Sequence, residues 1–277
     1  LASTILASVT ALTNAAHVTE ALATCRHEQS FTMRARLTAK LWEQSGDKTL
    51  AVEDDSGRAL IGDAAPGSVL SSLELGDLLD IRGRILPGGE LSGPMLYADS
   101  IMRIGHSPVS APSEVELSDI TSGNHDAELI TTTAIVREVF HDDIDNSVIL
   151  FVLTTQNAEL YAALSVNPSS VADYEKFINA QVRCSGIVIS RDNSYRQMVG
   201  HILCIPSPQD IRIINPTTSL FDTPELESSR RYAAADIPKL GRRRVCGCVR
   251  ACWQGKSMLV QTFGGEPVVV STGSTAP

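Results

Sequence analysis

The stretch HDDID, His141–Asp145, sets one imidazole and three carboxylates within five residues. These are donor types a divalent cation takes, but the spacing lacks the alternation and the closing glutamate of an EF-hand loop. Polar turns draw Asp and Asn for backbone reasons, so HDDID reads as a solvated turn. The six cysteines are Cys25, Cys184, Cys204, Cys246, Cys248 and Cys252, and no two are spaced C-x-x-C. That spacing is what a zinc ribbon or a redox motif needs. They read as buried small hydrophobes, with a Cys184–Cys204 disulfide left open. Nucleophile elbow, P-loop, H-E-x-x-H and dinucleotide fingerprints are all missing from the sequence, and His17, His106 and His201 are scattered. The expectation is a non-catalytic chain with no metal site and no cofactor.

The remaining candidates are residues suited to binding. A phrase occurs three times: LTAKLW (Leu37–Trp42), IVREVF (Ile135–Phe140) and CVRACW (Cys248–Trp253). Each copy carries a basic residue near its middle and ends on an aromatic. Trp42, Phe140 and Trp253 could stack on a flat ligand; the competing role is to plug the end of a folded module. Arg137 could meet an anion or simply lie along the surface. The loop SRDNSYRQ (Ser190–Gln197) offers Tyr195, Arg196 and Gln197, since loops often carry function.

The elements that must position these residues are strands. Phe31, Met33, Ala35, Leu37, Ala39 and Leu41 alternate with other residues, the period of a half-buried strand. Short turns then separate TLAVEDD and RALI. The second copy repeats the order with SVILFVLTT and AELYAAL, and the third with SMLVQT and EPVVVS. A fourth strand follows in two copies, LGDLLDIRGRIL (Leu75–Leu86) and INAQVRCSGIVI (Ile178–Ile189), which align Gly83 with Gly186. Glycine inside a strand marks a bulge or a sharp bend. Fifth strands are YADSIMRI and GHILCIPS, and the spacer VNPSSVADYEKF between strands three and four has helical character.

This order predicts an all-β chain with minor helix: tandem OB-fold-like five-stranded barrels, two complete and a truncated third. Pro/Ser-rich linkers place the domains at 1–110, 111–220 and 221–277. The third stops after three strands. It is expected to belong to a longer protein, to complete itself on another chain or to pair with the second barrel, since open edges are a liability. An SH3-like barrel or a small sandwich is the rival fold. In an OB barrel, strands two and three and the adjoining loops form the usual binding face.

Net charge is −9, which counts against nucleic acid as a partner because a phosphate backbone calls for clustered Lys and Arg. GRRRV (Gly241–Val245) is the clearest basic cluster. No apolar run approaches the ~20 residues that span a bilayer, and the opening residues lack a basic n-region.

The segments DI at Asp119–Ile120 and Asp236–Ile237, LAVEDDSGRALI (Leu50–Ile61), LGDLLDIRGRI and NSYRQMVGHILCIPS (Asn193–Ser207) resemble the extracytoplasmic sensor region of multidomain bacterial histidine kinases. That resemblance implies an OB-like input region that binds a small ligand or partner protein. It further implies a membrane-inserted parent kinase, a homodimer formed through it, and a place outside the cytoplasm. Two other readings stay open: a single-stranded nucleic-acid binder, and a structural spacer.

Overall fold

A computed structural model describes residues 12–41, 48–62, 70–88, 94–142, 145–166, 171–192, 198–216, 224–227, 230–233, 240, 243–253 and 257–271. No side-chain description extends to residue 172 or residues 191–199. The chain forms two compact units, residues 1–215 and 216–277.

The first unit holds two barrels. Strands β1 (Gln29–Leu41), β2 (Thr49–Asp54), β3 (Gly57–Gly62), β4 (Asp77–Leu86) and β5 (Met95–His106) close in the order β1-β2-β3-β5-β4. Period-two burial drives the closure: Phe31, Met33, Ala35 and Leu37 point inward with Leu50, Val52, Ile61, Leu79 and Ile81. Helix α1 (Ala15–Ala23) is capped by Asn14, whose side chain accepts from His17 N at 2.9 Å. Its Ala15 N donates to Asp54 Oδ2 at 2.7 Å and its Ala16 N to Ser56 Oγ at 3.0 Å. The β2–β3 turn thus satisfies N–H groups that a helix start leaves open, and Val18 packs into the barrel core.

The second barrel repeats the design. It begins with β6 (Ser113–Glu114) and α2 (Leu117–Ile120), then β7 (Leu129–His141), β8 (Val148–Thr154) and β9 (Glu159–Ser165). A 3-10 helix, Val171–Phe177, fills the spacer, followed by β10 (Gln181–Asp192), β11 (Met198–Ile205) and β12 (Ile211–Asn215). β10 pairs with β7 to close the ring, while β6 and β12 are added at that seam. Phe151 sits at the centre, edge-on to Tyr174 and Phe177.

The second unit contains β13 (Gly247–Trp253), β14 (Ser257–Thr262) and β15 (Pro267–Ser271), an antiparallel three-stranded sheet. Most of its lead-in, with Asp236 and Ile237, lies outside the described residues.

The repeated phrase is the signature of a β-bulge. β1 pairs with β4 from Gln29 to Arg36 and with β2 from Arg36 to Leu41, so its two halves bind different neighbours around the closed barrel. Its register slips between Leu37 and Ala39, between Val136 and Glu138 in β7, and between Val249 and Ala251 in β13. The extra residues are Thr38, Arg137 and Arg250, and the added twist turns the strand across the barrel corner. This common bulge corrects the alignment of the first phrase by one position. Leu41, not Trp42, holds the place of Phe140 and Trp253. Trp42 lies outside the described residues.

Gly83 and Gly186 do occupy equivalent places, opposite Phe31 and Ile130. The cysteines are free thiols. Cys184 faces the interior of the second barrel and Cys204 faces away from it, which excludes the disulfide that spacing had left open. Burial pushes the Cys184 thiol up to about 12.

Asp77 fastens the start of β4 to the end of β5. Its covered carboxylate accepts from Glu74 N at 2.9 Å, meets His106 Nδ1 at 3.1 Å and pairs with Arg103 Nε at 2.9 Å. The Glu74 hydrogen bond, followed by His106 and Arg103, holds its carboxyl below the ordinary 3.8. A lowered folded-state pKa stabilises above the unfolded value and loses that contribution as pH falls through the folded one. Thermal melts between pH 5 and pH 2 are therefore expected to show a smaller acid-induced drop in Asp77→Asn than in the parent. An equal drop in both would show that Asp77 does not couple to folding.

Candidate nucleic-acid interface

The outer faces of the three modules can be compared position by position through the shared bulge. On the first barrel the outward residues are Ala39, Leu41, Ala51 and Leu60; on the second, Glu138, Phe140, Val152 and Tyr161; on the third, Ala251, Trp253, Leu259 and Val269. Their surroundings differ, and so does what each face can do.

The first face is occupied. Ala39, Leu41 and Ala51 form one apolar cluster with Val148, Ala163, Ile187, Ile202 and Cys204 of the second barrel, and Leu60 packs at its border. Arg58 Nη1 meets Glu128 Oε2 across the seam at 3.2 Å, and His125 Nδ1 lies 3.0 Å from the same oxygen. Small outward side chains allow the sheets to approach closely. The usual OB binding surface of the first barrel is therefore a barrel–barrel contact.

The second face is open at one end. Phe140 and Tyr161 meet edge to face with centroids 6.4 Å apart, and Tyr161 is 45% exposed. Arg137, on its bulge, is held by Glu159 through two contacts, one of them Nη2 to Oε1 at 3.2 Å. Its charge is neutralised in place, so it is poorly suited to take an anion. Tyr161 was not among the residues singled out from sequence. Its outward phase in AELYAAL, between Glu159 and Ala163, was the available signal.

The third face differs in charge. Arg250 occupies the bulge position of Arg137, but the place of Glu159 is taken by Pro267. Trp253, two positions past Ala251, is 52% exposed. Phe263 in the following turn is exposed as well. Residues 1–215 carry 15 basic and 27 acidic side chains, whereas residues 216–277 carry eight basic and five acidic. The acidic average thus hides a basic C-terminal unit.

Tyr195, Arg196 and Gln197 lie outside the described residues, as do Asp143 and Ile144 of the HDDID turn. Within that turn, Asp145 Oδ1 accepts from Ser147 N at 2.9 Å and from Ser147 Oγ at 2.6 Å. The hydroxyl and then the amide hold the Asp145 carboxyl below its usual value. Among the described residues, no three His, Cys, Asp or Glu side chains form a metal-holding group.

No family model and no curated protein matches the chain. Among solved structures it is similar to an aspartyl tRNA synthetase from Entamoeba histolytica, at 11% identity and TM-score 0.30, covering 39% of this chain and 22% of that one. It therefore spans under a quarter of that protein. It is also similar to a murine DNA binding protein bound with ds DNA, at 9% identity and TM-score 0.37, covering 68% and 97%. An Ifi202 HINa domain in complex with 20bp dsDNA follows at 12% identity and TM-score 0.32, covering 69% and 98%. The expectation that net charge makes nucleic acid an unlikely partner does not stand: two of these are solved on DNA, and the C-terminal unit of this chain is basic. Its physical fault was to average charge over the whole chain.

Proposed function

We propose that this chain is a non-catalytic tandem OB protein that binds single-stranded nucleic acid on the outer face of its third module. The observation that carries the reading is the pair Arg250 and Trp253. The arginine lacks the acid that neutralises Arg137, and the indole is half exposed on the same strand. A base stacks on Trp253 because every base has a π-face, while Arg250 meets the phosphate. Leu259 and Val269 extend the platform across β14 and β15.

Anisotropy of a fluorescein-labelled oligo-dT at low salt tests this. Binding is expected to weaken as salt rises, because counterions are released on binding. Trp253→Ala is expected to cost about 1–3 kcal/mol, a roughly 5–150-fold loss. Arg250→Ala should flatten the salt dependence. Absence of binding at low salt, or equal binding by Trp253→Ala, refutes the reading.

A second reading is the sensor input region. It is supported by the resemblance around Asn193–Ser207 and by the partly open aromatic pair Phe140–Tyr161. A small flat ligand on that face would raise the melting temperature of the parent but not of Tyr161→Ala.

A further inference from the structure

A cleft of about 240 Å³ opens on the first barrel where β1 leaves β4 for β2. Its walls carry Arg34 and Arg36 from β1, Glu53 and Asp55 from the end of β2 and the turn beyond it, and the apolar side chains of Leu78 and Ile104. The charges are loosely held. Arg34 Nε lies 3.6 Å from Asp80 Oδ1, and its side chain is 78% exposed. Arg36 Nη1 donates to Pro108 O at 2.6 Å, but its Nε has no hydrogen-bond acceptor and lies 3.6 Å from Glu53 Oε1. Asp55 is exposed, whereas its neighbour Asp54 is committed to Ala15, Ser56 and Gly57.

Stability does not account for this set, because exposed ion pairs contribute little. The second barrel shows that the fold does not call for it either. Register makes Thr133, Ile135 and Thr154 the equivalents of Arg34, Arg36 and Glu53. Gln156, two residues past Thr154, stands in the place of Asp55. Ile214, the extra residue of the matching bulge, stands in the place of Ile104. The same corner therefore closes with no charge at any of the four positions. Two cations and two anions gathered there in the first barrel are matched to a ligand rather than to the barrel.

We propose that this cleft binds a free α-amino acid with an aliphatic side chain. The carboxylate bridges Arg34 and Arg36, the ammonium meets Glu53 and Asp55, and the side chain lies on Leu78 and Ile104. A zwitterion carries both charges on one carbon, so its cation and anion partners must stand side by side, as Arg36 and Glu53 do. Guanidinium groups suit the planar carboxylate. An anion or an amine alone would engage one wall and leave the other unmatched. The volume falls below the roughly 300 Å³ at which sites for drug-sized ligands begin, which selects a small ligand.

Equilibrium dialysis of the full chain against radiolabelled L-leucine, L-isoleucine and L-valine tests this. At least one is expected to bind saturably. N-acetyl-L-leucine lacks the ammonium and L-leucinamide lacks the carboxylate; each should compete about ten-fold more weakly or worse, the loss of one hydrogen bond to a charged group. Arg34→Ala and Asp55→Asn should weaken binding by a similar factor, and Thr133→Ala in the second barrel should not. Both altered side chains are exposed, so unchanged melting of the two variants separates lost binding from lost folding, and the analogues need no variant at all. Retention of none of the three amino acids overturns the proposal. So does equal competition by either analogue, or parental binding by Arg34→Ala. The cleft lies on neither of the faces assigned above, so its failure leaves both of those readings standing.

Discussion

A Gly83→Ala chain is expected to lose about 3 kcal/mol of stability, lowering the melting temperature by roughly 6–12 °C. In a regular strand the same change would help, since glycine carries an entropic cost of ~0.5–1 kcal/mol relative to alanine. Sterics reverse the sign here. A Cβ on Gly83 would lie 1.9 Å from the Tyr97 carbonyl oxygen and 2.8 Å from Phe31 Cζ. The oxygen is backbone held in the β4–β5 ladder, where the register shifts between Arg82 and Gly83. It cannot move without parting the strands that close the barrel. Gly105→Ala is the control: its Cβ would meet Leu78 Cδ1 at an ordinary 3.5 Å, and the change should stay within about 0.5 kcal/mol. Similar melting of the two variants would mean that the barrel relaxes around Gly83.

The contrast marks what the sequence made legible. Alternation from Phe31 to Leu41 predicts the strand and its buried face, because period two follows from backbone geometry alone. The glycine alignment came from the same period and gave equivalent positions. A bulge breaks that period. An inserted residue such as Thr38 shifts every later side chain by one, and nothing local to LTAKLW distinguishes it from an unbroken strand. Trp42 was therefore matched to Phe140 when Leu41 holds that place. Three copies viewed together contained the correction, since Arg137 and Arg250 already agreed.

Tertiary partners were less legible still. Ala39, Ala51 and Leu60 alternate like any outward residues, and only the second barrel's apolar flank makes them interface. Electrostatics failed for a different reason: net charge is a sum, and a surface is read locally. Splitting the sum at the linker near residue 215 reveals the basic unit. The acid that silences Arg137 comes from a different strand, so its importance depends on register rather than on sequence distance.

That barrel–barrel interface yields the other large effect. Ala39→Glu places in the first barrel the residue that the second barrel carries at the same register position, Glu138. On the second barrel that position is exposed; Ala39 is 0% exposed within the shared cluster. A carboxylate there meets Val148, Ala163, Ile187, Ile202 and Cys204, none of which can pair with it, and burying an unpaired charge costs about 3 kcal/mol or more. The side chain points away from the first barrel's own core, so release of the contact is cheaper than unfolding. Parting the barrels also lets the glutamate reach water. Scanning calorimetry should accordingly show the single transition of the joined pair separating into two, with the Arg58–Glu128 bridge lost and the segment 105–112 opened to protease. Tyr161→Glu, made on the partly open face of the second barrel, should leave the joint transition intact. If Ala39→Glu melts as one unit at an unchanged temperature, the cluster does not hold the barrels together, and the first barrel's binding face would have to be counted as available to a ligand.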